Sequence, residues 1–292
     1  MLVATTDGVV EFPDGGHALE GMEVNALASA GGVHYAVADA SMVLRHTLDG
    51  WQEVGPVDGR RANCLVASKT GLFVGTSEAH LLKESPAGFI GLDSFESAPG
   101  RADWYTPWGG PPDVRSISED DSGVLYCNVH VGGIQRSDDG GATWTPTIDI
   151  HSDVHEVTTA PGAILAATAW GLASSSDGGT TWEFDAQGLH ATYARAVAVA
   201  DGVVVMSASR GPRGNASTLY RRPLDMPGNF ERCGGELPEW FSDNINTGCL
   251  SARGTTVAFG TEEGELYVSK DSGATFARAS ERLSPVRWVE ML

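Results

Sequence analysis

Ser137-Asp138-Asp139-Gly140-Gly141-Ala142-Thr143-Trp144 returns, lightly altered, as Ser175-Ser176-Asp177-Gly178-Gly179-Thr180-Thr181-Trp182 and Ser269-Lys270-Asp271-Ser272-Gly273-Ala274-Thr275-Phe276. Each copy reads S-x-D-x-G-x-T-aromatic. The aspartates lie 38 and then 94 residues apart, the second interval being two units of 47. Leu48-Asp49-Gly50-Trp51 is a worn copy. Repetition at this period marks stacked or circular arrays of one small unit. The octapeptide has the chemistry of a turn. Ser and Asp side chains bond nearby amides, Gly takes the positive φ of a tight hairpin, and the aromatic ring covers it. Its expected role is structural.

Working outward, two short apolar strands joined by a Gly-rich turn recur along the chain. They are Val24–Ala28 with Tyr35–Ala38, Asn63–Ala67 with Leu72–Thr76, and Val114–Ser118 with Val124–Val129. His155–Thr159 with Ile164–Ala169, Arg195–Val199 with Val203–Ala208, and Cys249–Ala252 with Thr256–Thr261 follow. These make six units. A seventh comes from the ends: Leu2-Val3-Ala4-Thr5-Thr6-Asp7-Gly8-Val9-Val10 reads like the second strand of a unit, and Val286-Arg287-Trp288-Val289-Glu290 is a spare first strand. The expectation is all-β: a single seven-bladed β-propeller of four-stranded antiparallel blades over residues 1–292. Its closing blade comes from residues 1–22 and 284–292, which leaves few exposed sheet edges.

The octapeptide resembles the Asp box, or BNR repeat, of sialidases, sortilin-type receptors and photosystem II assembly factors. The resemblance rests on three good copies and is specific for the repeat, not for one family. It implies that the boxes lie away from the functional mouth. Against the sialidases, there is no Arg-Ile-Pro near the N-terminus, seven blades replace six, and no Tyr–Glu pair is placed by motif, Tyr105 and Tyr193 being candidates only.

The chain is acidic, with 38 Asp plus Glu against 19 Lys plus Arg and a net charge of -19; its lysines are Lys69, Lys83 and Lys270. Such a surface repels nucleic acid and anionic membranes, and it resembles that of salt-adapted (halophilic) proteins. No apolar run is long enough to span a bilayer, and no basic-then-apolar leader opens the sequence. Cys64, Cys127, Cys233 and Cys249 have no CxxC spacing. Buried free thiols in a reducing, cytoplasmic setting are expected.

Three long segments, Leu92–Pro112, Ser209–Ser217 and Pro227–Thr247, fall on the face where each innermost strand begins; long loops on a rigid scaffold tend to bind. Trp104, Tyr105 and Trp108, and Trp240 with Phe241, offer a platform for a sugar or peptide, or else pin their own loops. Aligning first-strand starts gives a ring of Asn25, Asn63, Arg115, His155, Arg195, Gly248 and Arg287. Three arginines there suit a carboxylate or phosphate. Second-strand ends give an outer ring of Asp7, Asp39, Glu78, His130, Trp170, Arg210 and Glu262. Its acids either pair with the arginines or do chemistry.

The expected function is recognition, without catalysis or cofactor, of a small anion, sugar, peptide or protein at the mouth. Expected ligand contacts are Asn25, Asn63, Arg115, His130, His155, Arg195, Arg210, Arg287, Trp104 and Trp108. The alternative is a glycoside hydrolase or lyase on an acidic sugar, with Asp39, Glu78 or Glu262 as the two carboxyl groups that reaction needs. Resemblance to sialidases implies that the three arginines would hold the sugar carboxylate. His130, His151 and His155, with Asp153, leave a transition metal open, although the spacing matches no standard motif and no metal is assigned.

Overall fold

The computed structural model describes residues 1–292 except Asp58 and Pro227. The strands form seven sheets arranged as a seven-bladed β-propeller. Blade 1 runs outward through Val24–Ala30, Val33–Ala38, Met42–Thr47 and Gly50–Pro56. The innermost strands of blades 2 to 6 are Ala62–Ser68, Asp113–Glu119, Val154–Ala160, Val197–Ala200 and Leu250–Arg253. Blade 7 is a composite: Val286–Glu290 is innermost, followed outward by Leu2–Thr5, Gly8–Glu11 and Gly16–Ala18. Ala4 pairs with Trp288 and Val3 with Val289, so the tail completes the sheet the head begins. Blade 6 gains a fifth strand, Gly234–Gly235, which runs parallel beside Thr275–Ser280. The innermost strands contact one another in order around the ring, and blade 7 meets blade 1.

The second strand of each blade is the most buried. Val74, Cys127, Leu165, Val205 and Phe259 are fully covered, packed between the faces of adjacent blades. The four cysteines are buried and unpaired. Such continuous apolar strands, covered on both faces, read as unbroken hydrophobic runs.

The octapeptides join third and fourth strands. In each, the Asp oxygens accept from the N–H and the hydroxyl of the Thr four residues on: Asp139 from Thr143, Asp177 from Thr181, Asp271 from Thr275. The Ser hydroxyl donates to the Asp and accepts from a Gly N–H, as Ser137 does with Asp139 and Gly141. Bonds of this kind favour the carboxylate over the acid. They hold all three aspartates down to about 2, the Thr partners contributing most to Asp139 and Asp177, and Ser269 and then Thr275 to Asp271.

Candidate functional site

The ring positions share a backbone feature. Asn25, Asn63, Arg115 and His155 are each the unpaired residue of a β-bulge near the start of an innermost strand. Arg287 holds the same place in blade 7, between the paired Val286 and Trp288. A bulge breaks the alternation of side chains and re-aims the extra residue. In blade 5 the Ser207 hydroxyl instead accepts from the N–H groups of Arg195 and Ala196. In blade 6 the position is Gly248, φ 76°, where a Cβ would lie 2.1 Å from the Trp288 ring. Trp288 occupies the space that a side chain there would need.

Asn25, Asn63, Arg115 and Arg195 line one open cavity of about 260 Å³ together with Asp113, Asn246, Thr247 and Trp288. Trp288 also lines a second cavity that includes Glu156 and Glu290, so it is a partition common to both. Asn246 and Thr247 line the mouth, and Gly248, next in the chain, lines the second cavity. Arg195 donates to Asn246 Oδ1 at 2.8 Å, Thr247 Oγ1 donates to the carbonyls of His155 and Arg195, and the Gly248 N–H donates to Glu156 Oε1.

Of the three arginines, two meet. Arg195 bonds Asn246, the Pro212 carbonyl and the Tyr193 hydroxyl. Arg115 and Arg195 have no carboxylate within ion-pair distance among the described residues. Burial, and next the charge of Arg195, press the Arg115 guanidinium below its ordinary value, with Asp113 opposing. Arg287 departs from the expected trio. It is bonded to Glu23 at 2.9 Å and to Glu262 at 2.6 Å, and it does not line the cavity. Glu23 and Glu262 flank it from either side and neutralise it there.

The other expected carboxylates are also spoken for. Asp39 accepts the Glu23 N–H, Glu262 holds Arg287, and Glu78 is exposed in a left-handed turn at φ 61°. None of the three lines the mouth cavity; its carboxylate is Asp113. Arg210 is exposed, and its charge is felt at His190.

The aromatic side chains divide. Trp104 is buried against Phe95 under Arg101 and pins its own loop. Phe241 is buried, and Trp240 is held between Arg232 and His190; Pro227, where that segment begins, lies outside the described residues. Trp108 and Trp170 are 65% and 62% exposed, which makes them available to a partner. Trp108 stacks on His130 at 5.4 Å, His130 meets His155 at 5.1 Å, His155 meets Tyr193 at 4.5 Å, and Arg195 lies 5.6 Å from the Tyr193 ring. A row of ring contacts, the first stacked and the next two tilted, thus runs from an exposed indole to Arg195 of the mouth. Asp153 joins it, 2.8 Å from His130 and 3.6 Å from His155. His151 stays outside, bonded to Tyr105. Burial pushes His155 down to about 3.

Sequence reasoning found the bulge positions without recognising the bulges. It missed Asp113, Asn246, Thr247 and Trp288. A signal for Trp288 was the conjunction of a large ring in the spare strand with a Gly at the ring position of the unit before it, Gly248, where every other unit carries a side chain.

The class that fold and site define is the β-propeller. No family model matches the chain, and no curated protein matches it at a significant level. Among solved structures, it is similar to a GH74 enzyme of Niastella koreensis, with a TM-score of 0.63 at 16% identity, over 97% of this chain and 47% of that one. It is similar to a GH74 xyloglucanase of Xanthomonas campestris, with a TM-score of 0.61 at 17% identity, over 87% and 45%. The chain therefore spans about half the length of these enzymes. It is also similar to YCF48 bound to a D1 peptide, with a TM-score of 0.60 at 15% identity, over 95% and 84%. At these identities the likeness is one of fold.

Proposed function

We propose that this chain is a recognition propeller whose mouth takes a carboxylate of a peptide ligand. One observation carries the reading: Arg115 and Arg195 share an open cavity without a carboxylate paired to either among the described residues. Two guanidinium groups without an ion-paired carboxylate among the described residues favour an incoming anion, and Arg presents a fork matched to a carboxylate. The exposed Trp108 and Trp170 give the rest of a peptide an aromatic surface beside that anchor. The likeness to YCF48, a propeller solved with a peptide bound, supports the same choice. We read the three octapeptides as Asp boxes, on the strength of one hydrogen-bond pattern repeated three times. A glycosidase needs two free carboxyl groups flanking the cavity, and among the described residues Asp113 is the one that lines it.

The test is fluorescence anisotropy with labelled peptides that carry a free C-terminal carboxylate or its amide. The free acid is expected to bind more tightly. Arg115→Ala and Arg195→Ala should each weaken it by about thirtyfold, for roughly 2 kcal/mol per lost charge-assisted contact. Equal binding of acid and amide, or variants that bind as the parent does, would remove the reading.

A further inference from the structure

Asp153 and two imidazoles meet where blade 3 passes to blade 4, sharing no residue with the lining of the arginine cavity. His155 Nδ1 lies 2.6 Å from the Ala194 carbonyl oxygen. A carbonyl only accepts, so Nδ1 carries the hydrogen of the neutral ring and Nε2 carries a lone pair. That lone pair faces Asp153 Oδ1, which is another acceptor, across 3.6 Å. The separation is too long for a shared proton. The His155 ring is completely buried, and its Nε2 has no hydrogen-bond partner among the described residues. Asp153 Oδ1 is also 2.8 Å from His130 Nε2, an ion-pair contact, so the two imidazoles converge on one carboxylate oxygen. Two buried acceptors that face each other repel unless a cation stands between them.

We propose that His130, Asp153 and His155 bind a divalent first-row transition metal ion. The ligand atoms lie within 4.8 Å of one another. In a tetrahedral site with bonds of the usual length, ligands sit roughly 3.4 Å apart, and the measured 2.8 and 3.6 Å bracket that spacing. Two imidazoles and one carboxylate suit zinc, cobalt, nickel or iron(II) rather than magnesium or calcium. The Ala194 carbonyl supplies the orienting contact that metal-bound histidines commonly have on the ring's other nitrogen. Three protein ligands leave a position for water or for a group of a bound ligand. The exposed Trp108 indole stacks on the His130 ring.

Asp153 sits at φ 49° and ends the short turn Ile150–Ser152. Asn readily adopts this backbone region, so Asp153→Asn removes the charged ligand and leaves the fold. His155→Ala empties a core position, which makes Asp153→Asn the deciding variant. The full chain, stripped with chelator, would be titrated with ZnCl2 by calorimetry and with CoCl2 by visible absorption. The expected result is one equivalent bound, a cobalt d–d band that zinc abolishes, and a Kd at least on the order of tenfold weaker in Asp153→Asn, whose circular dichroism matches the parent. No stoichiometric binding by the parent, or binding that Asp153→Asn leaves unchanged, overturns the site. The readout is metal binding by the parent and by Asp153→Asn, and the peptide reading is read from the acid–amide difference in the metal-free chain, so the two proposals fail separately.

Discussion

Glu156 ties three blades together with one side chain. It belongs to blade 4, its Oε2 accepts from Val197 of blade 5, and its Oε1 accepts from Gly248 of blade 6. Those N–H bonds favour the ionised form, but burial outweighs them and pushes the carboxyl up to about 8 from an ordinary 4.5. The sign of the pH effect follows. Between these values the unfolded chain releases the proton and the folded chain keeps it, so stability declines as pH rises through the window and levels off above it. Glu156→Gln should be less stable at pH 5, by about 1–3 kcal/mol, because its amide N–H groups face a backbone donor. Its melting temperature should fall less steeply between pH 5 and 8 than that of the parent. Parallel melting curves for parent and variant across that range would show that Glu156 is not the buried acid described. Gly248 is a second residue with a single geometric duty, since its missing Cβ is the room in which Trp288 sits.

At the scale of elements, Val286–Glu290 does the most. It supplies the innermost strand of blade 7, the ion-paired Arg287 and the partition Trp288. Trp288 packs against three separate hydrophobic clusters. Deleting residues 286–292 removes the buried Val286 and Val289 from the core and uncovers the edge of Leu2–Thr5. Two buried valines and part of an indole are worth roughly 5 kcal/mol or more, so the melting temperature should drop by roughly 10 °C or more. A truncated chain that melts within a degree or two of the parent would contradict the closure by the tail. This element was legible in the sequence because a lone first strand at one end answered a missing one at the other. The octapeptides were legible for a different reason: their partners lie within four residues, so their chemistry is local.

Across the whole molecule, residues distant in sequence converge at one opening, and here legibility was uneven. Counting from each Gly turn picked out Asn25, Asn63, Arg115 and Arg195, which line one cavity, and also His155, which is buried and does not line it. The count works because every blade begins the same way. It could not say that Arg287 would be neutralised, since Glu23 lies 264 residues away and its nearness exists only after the ring closes. Nor could it separate Trp104 from Trp108: both occupy one loop, and only packing buries the first and leaves the second exposed. The carboxylates Asp39, Glu78 and Glu262 were chosen by register alone, which says nothing about local turns or ion pairs. The net charge of -19 sharpens the contrast between an acidic body and a cavity where two guanidinium groups face one carboxylate, Asp113, a pattern that steers anions to one place.

The arginine Nε–Hε resonances in a 1H–15N spectrum, followed during a titration with succinate, test that claim most directly, because Arg287 is an internal control. Saturable shifts at Arg115 and Arg195 with Arg287 unmoved are the predicted result. Resonances of all three that stay still, or an Arg287 signal that moves as far as the others, would contradict it.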